Sequence, residues 1–169
     1  KDAKYKDYIE TDDIYMNDIY IINKTIERIS KNEMNIFIFM YLCGIDKTGH
    51  IYGFSVQCNE YIEYIEKIDK LLKKLIDVLI LNNYSIIIST DHGGSNKKDL
   101  NEYQHNIFSS IYPIKSKQIC NGIHGLEIPQ HKRVFQIYYG DIVNKETKEL
   151  LDKKLSTDIY FDIINYYKS

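Results

Sequence analysis

Tryptophan is absent from the 169 residues, alanine occurs once, at position 3, and cysteine only three times. Cys43, Cys58 and Cys120 form no Cys-x-x-Cys pair, which removes paired-thiol metal and redox motifs from consideration; if two of them bridge, the third stays a free thiol. No apolar run approaches the roughly 18 residues a membrane helix needs. The start, Lys1-Asp-Ala-Lys-Tyr-Lys, does not read as a signal peptide, so the chain as given is expected to be soluble. Charge of one sign is lacking too. With 22 basic and 24 acidic side chains the net charge is -2, too weak a field to suggest a nucleic-acid backbone or an anionic membrane as partner.

What is present is 44% hydrophobic residues, enough at this length for one domain with a core and too little chain for two ordinary ones. The abundance of Ile, Lys, Asn and Tyr reads as AT-rich codon background.

Apolar spacing outlines the elements. Ile19, Ile22, Ile26 and Ile29 share a face, with Asp12 and Asp13 as caps, so residues 14–30 are expected to be an amphipathic helix. Ile36 to Leu42 is a continuous apolar run rich in β-formers, the mark of a strand covered on both faces. Ile62, Ile65, Ile68, Leu72, Leu75 and Leu79 predict a helix from about Asn59 to Leu81, and Ser85 to Thr90 a second buried strand. Strand, helix, strand is a βαβ unit, expected to be parallel and right-handed. Residues 93–123 show no sustained period and read as a long loop or insertion. Val134 to Tyr139 predicts a third strand, and Ser156 the cap of a last helix.

Three short motifs carry chemistry. Asp46-Lys-Thr-Gly-His50 is expected in a turn leaving the first strand, where a carboxylate and an imidazole four apart can close on one divalent cation; a strand-end cap beside a solvated histidine explains the same residues. Asp91-His92-Gly93-Gly94 puts two ligand types at the end of an apolar strand, before glycines that let backbone approach a metal or phosphate closely. His124 sits between Gly122 and Gly125. His105 and His131 have no comparable context and are read as non-ligands. Open α/β sheets bind ligands beyond the carboxyl ends of their strands, where the first two motifs fall.

The run Tyr41-Leu-Cys-Gly-Ile-Asp-Lys-Thr-Gly-His-Ile-Tyr-Gly53, a helix carrying Ile68-Asp69, then Ile86-Ile-Ile-Ser-Thr-Asp-His-Gly-Gly94 and His124-Gly125 resembles the alkaline phosphatase superfamily. The match is closest to its type I phosphodiesterase/nucleotide pyrophosphatase branch, over about residues 14 to 165. The resemblance implies a three-layer α/β/α domain with a mostly parallel sheet, here incomplete at the N-terminal side. It implies two metal ions, usually zinc with manganese as the other candidate, one held by Asp46, His50 and His124 and the other by Asp91 and His92. It also implies hydrolysis of phosphodiester or pyrophosphate bonds in a small-molecule or lipid-linked phosphate ester, and a secretory or extracytoplasmic setting. The family's Thr or Ser nucleophile and a further Asp ligand lie upstream of the first motif. Thr11 and Thr25 lack that context, so the chain is expected to correspond to the C-terminal half of such a domain, partnered by the upstream half. Leu42 to His50 also resembles phosphoethanolamine transferases, and the shared Asp-x-x-Gly-His resembles phosphoglycerate mutases. A degenerate, non-catalytic metal-binding scaffold is the reading of a different class.

Overall fold

The computed structural model describes residues 13–31, 36–112 and 121–140. Helix α1, Ile14–Ile29, opens on Asp13, whose carboxylate accepts from the N–H groups of Tyr15 and Met16, and closes with Arg28 in its last turn. Helix α2 is Gly44–Tyr52, and helix α3 runs Asn59–Leu81 at the bounds its apolar spacing predicts. The inward stripes of α1 and α3 meet: Ile22, Ile29 and Leu75 are almost fully buried, with Ile38, Met40 and Leu42 packed against them.

A second contact ties three helices at one atom. Asp18 of α1 is fully buried, and its Oδ2 accepts from the Tyr64 hydroxyl of α3 at 3.0 Å and from the Gly44 N–H of α2 at 3.2 Å. Burial pushes the Asp18 carboxyl above its ordinary range, and the donors from Tyr64, Gly44 and Cys43 pull it back only in part. The start of the helix that carries Asp46 and His50 is therefore fastened from two sides.

Strand β1, Ile86–Ser89, pairs antiparallel with β4, Gln136–Tyr139, in the register Ile86↔Tyr139 to Ser89↔Gln136. Between them β2, Ser95–Asn96, pairs antiparallel with β3, Gly122–Ile123. The architecture is α/β, and both ladders among the described residues are antiparallel, which corrects the parallel βαβ expectation for this region. The reason lies in Ile36–Leu42, which forms no strand. Its apolar residues alternate: Ile38, Met40 and Leu42 face the helices, while Phe37, Phe39 and Tyr41 are 42%, 69% and 55% exposed. The run records burial on one side, and a ladder further requires a hydrogen-bonding neighbour, which apolar content does not encode.

Residues 93–123, expected as a loop, contain structure as well. A short 3-10 helix at Lys97–Asp99 leads to α4, Glu102–Ile111, which starts with a reciprocal capping box between Asn101 and Gln104. Phe108 anchors α4 in a small core with Leu100, Ile123 and Leu126. Ten residues make fewer than three turns, too few for apolar spacing to repeat, but the Asn101-x-x-Gln104 cap was readable. A four-residue helix α5, Pro129–Lys132, precedes β4. The expected cap at Asp12, the last helix from Ser156 and Cys120 lie outside the described residues. Among those described, no helix is long and apolar enough to cross a membrane.

Candidate metal centre

Asp46 and His50 stand four apart on α2, one above the other on a single helical face. This corrects their expected place in a turn: Gly44 begins a helix instead of ending a strand, because its N–H finds the Asp18 carboxylate as a cap partner. His50 Nε2 lies 3.6 Å from Asp46 Oδ2. The other ring nitrogen, Nδ1, is 2.8 Å from the Gly122 carbonyl, which can only accept, so Nδ1 carries a proton and Nε2 is aimed at the carboxylate.

The β2–β3 ladder delivers His124. Ser95 pairs with Ile123, Asn121 N–H donates to the His50 carbonyl at 2.9 Å, and the Asn121 side-chain amide donates to the Ile51 carbonyl at 2.8 Å. These bonds stitch the segment before His124 to the last turn of α2. The outcome is His124 Nε2 at 3.5 Å from Asp46 Oδ1, and ligand atoms of Asp46, His50 and His124 all within 4.8 Å of one another.

His92 follows β1. Gly93 N–H donates to the His131 carbonyl at 2.9 Å, and a Cβ on Gly93 would collide with the Gln130 carbonyl, so the loop lies directly on α5. His92 Nε2 is 3.6 Å from Asp91 Oδ2 and 4.0 Å from Asp46 Oδ1, and its ring stacks on that of His124 with centroids 3.8 Å apart. The structure thus brings the three motifs together around Asp46. Asp91 stands at the rim, 60% exposed, while the side chains of Asp46, His50, His92 and His124 are 24–30% exposed.

Oδ1 of Asp46 is buried and has no hydrogen-bond partner. A buried carboxylate oxygen without a donor is costly, and one cation held between it and the surrounding imidazole nitrogens would satisfy it. The oxygen and nitrogen donors of Asp46, His50 and His124 suit zinc or manganese. Two phenols stand nearby: burial first, then the Asp46 charge, raises Tyr61, and burial with Asp91 and Asp46 raises Tyr41. Both keep their protons at neutral pH.

A serine–histidine pair outside this cluster invites a different reading and fails it. Ser95 Oγ is 2.7 Å from His131 Nε2, but His131 Nδ1 accepts from the Leu126 N–H at 2.9 Å, so the neutral ring carries its proton on Nε2 and donates to Ser95. It cannot take the hydroxyl proton. His131 is 3% exposed, and burial, helped by the charge of His92, lowers its pKa from the ordinary 6.5. Above about pH 6.5 neither the folded nor the unfolded chain holds this proton; below it the unfolded chain binds one that the folded chain refuses. Urea unfolding is therefore expected to show stability falling from about pH 6.5 downward by up to about 1.4 kcal/mol per pH unit, less steeply in His131→Gln. An unchanged pH slope in that variant would contradict the assignment.

The family model for type I phosphodiesterase / nucleotide pyrophosphatase matches residues 3–160. No curated protein and no solved structure gives a match to the chain.

Proposed function

The chain belongs to the type I phosphodiesterase / nucleotide pyrophosphatase family, and from that membership we propose that it serves a metal-dependent hydrolase of phosphodiester or pyrophosphate bonds. The observation that carries the reading is the buried, donorless Oδ1 of Asp46, with the Nε2 atoms of His124 and His92 at 3.5 and 4.0 Å and that of His50 facing the other carboxylate oxygen.

Asp46, His50 and His124 would hold one divalent ion, and Asp91 with His92 would contribute to a second; zinc is the favoured identity, with manganese the alternative. Bound there, such ions supply charge neutralisation at the phosphoryl oxygens and activation of a hydroxyl nucleophile. The chain's own residues do the rest. The Gly122 carbonyl holds the His50 ring in one orientation, and the stitching by Asn121 keeps His124 opposite Asp46. The neutral phenol of Tyr41 can donate a hydrogen bond to an anionic oxygen.

The nucleophile in this reading comes from outside these residues. Hydroxyls close to the ligands in sequence are committed: Thr48 is 4% exposed, Thr90 Oγ1 accepts from the Phe135 N–H at 3.3 Å, and Ser95 accepts from His131. The same commitments favour, as the second reading, a metal-binding module without turnover. Elemental metal content of the purified chain, measured alongside hydrolysis of a chromogenic phosphodiester with zinc or manganese added, tests the ligand assignment and the outside nucleophile. Metal without turnover is expected for the isolated chain. Turnover would contradict the outside nucleophile, and absence of any bound metal would overturn the ligand assignment.

A further inference from the structure

The three motifs are not adjacent in sequence. A single aromatic ring touches all three. Helix α2 ends at Gly53, whose φ of 115° is open to glycine and strained for other residues, and the turn folds Phe54 back beneath the helix. A Cβ built on Gly49, on Gly94 or on Gly122 would run into the Phe54 ring in every case. Each of these glycines is within two residues of a histidine of the cluster: Gly49 precedes His50, Gly94 follows His92, and Gly122 precedes His124. The ring also meets the His50 ring edge-on, with centroids 5.7 Å apart, and the Tyr61 ring of α3 at the same separation.

We propose that Phe54 is the positioning residue of the metal centre, a wedge whose thickness sets the spacing of the His50, His92 and His124 segments. The inference rests on the ligand reading above and adds a residue that touches neither metal nor substrate. Three bare Cα atoms packed on one ring leave no side chain that could shift to absorb a change in its shape, so the backbones themselves must move. Ligand geometry tolerates about 0.2 Å, and a loosened support is therefore read out as lost affinity.

The test is cobalt titration of the full metal-free chain, followed by visible absorption and by chelator competition, with urea unfolding of the same metal-free samples. Wild type is expected to bind. Phe54→Leu is expected to bind about 10- to 100-fold more weakly, with altered cobalt bands that report a changed ligand geometry. Phe54→Met, an unbranched chain that fits the same cleft, serves if the leucine variant does not fold, and is expected to fall between the two. Adding Gly49→Ala to Phe54→Leu places a methyl beside the Cε1 and Cζ positions that leucine leaves empty, and is expected to restore part of the affinity, a recovery that loss of general stability would not produce. Phe54 variants that bind cobalt with wild-type affinity and spectrum, whatever their stability, would overturn the proposal. A wild-type chain that binds no cobalt would overturn the ligand assignment and this inference with it.

Discussion

Asp46→Asn is expected to lose metal affinity by at least about 100-fold, the upper end of what disturbing mere supporting residues costs a metal site. Asp46 is the one carboxylate in the three-ligand set, and both of its oxygens are in use as the hub: Oδ2 faces His50, and Oδ1 faces His124 and His92. Asparagine keeps the shape and loses the charge, and a neutral amide is a poor partner for a divalent ion. The fold of the metal-free chain is expected to survive, because Oδ1 makes no hydrogen bond there to lose. Calorimetric zinc titration reads the affinity and urea unfolding of the metal-free chain the stability. Unchanged zinc stoichiometry and affinity in the variant would refute the assignment, and a variant that fails to fold would show that Asp46 has a structural role not accounted for by its contacts.

Gly44→Ala is expected to destabilise the protein by about 3 kcal/mol. Gly44 is the first residue of α2 and is buried, and a Cβ there would land on the Tyr64 hydroxyl and 2.5 Å from Asp18 Oδ2. Neither neighbour can retreat cheaply: Tyr64 is 8% exposed, and Asp18 is fully buried between the helices. Pushing α2 away to make room also breaks the Gly44 N–H bond to Asp18, leaving a buried donor unpaired. For a chain of this size the loss corresponds to a Tm lower by about 6–12 °C. Tyr64→Phe removes the oxygen that the methyl would strike, so combining it with Gly44→Ala is expected to cost less than the sum of the two single changes. Strict additivity would mean that the clash is relieved elsewhere. Because α2 carries Asp46 and His50, metal affinity is expected to fall together with stability.

Helices α1 and α3 were legible because Ile19, Ile22, Ile26 and Ile29, and the longer series from Ile62 to Leu79, repeat over enough turns to define a face. The three motifs were legible because their residue types have few other uses when placed together beside glycines. Strand Ile86–Ser89 and the later strand at Gln136–Tyr139 were also found. Ile36–Leu42 misled, since an apolar run reports burial and is silent about pairing. His131 has both ring nitrogens taken by Ser95 and Leu126, which a lone histidine in a sequence does not announce. The place of Phe54 carries no sequence signal: its ring packs on three glycines separated from it and from each other by up to 73 positions.

By itself the sequence determined the composition class, the two long amphipathic helices, the identity of the metal-ligand candidates and the family to which they point. These depend on side-chain chemistry and on periodicities of a few residues, both written locally. Tertiary structure decided that Asp46 and His50 lie on a helix, that the described ladders run antiparallel, that Asp46 is the hub on which three histidines converge, and that Asp18 and Phe54 brace the helix bearing it. Those outcomes depend on contacts between residues far apart in the chain, where the partner sets the conformation of a segment and the packing sets the distance between ligands.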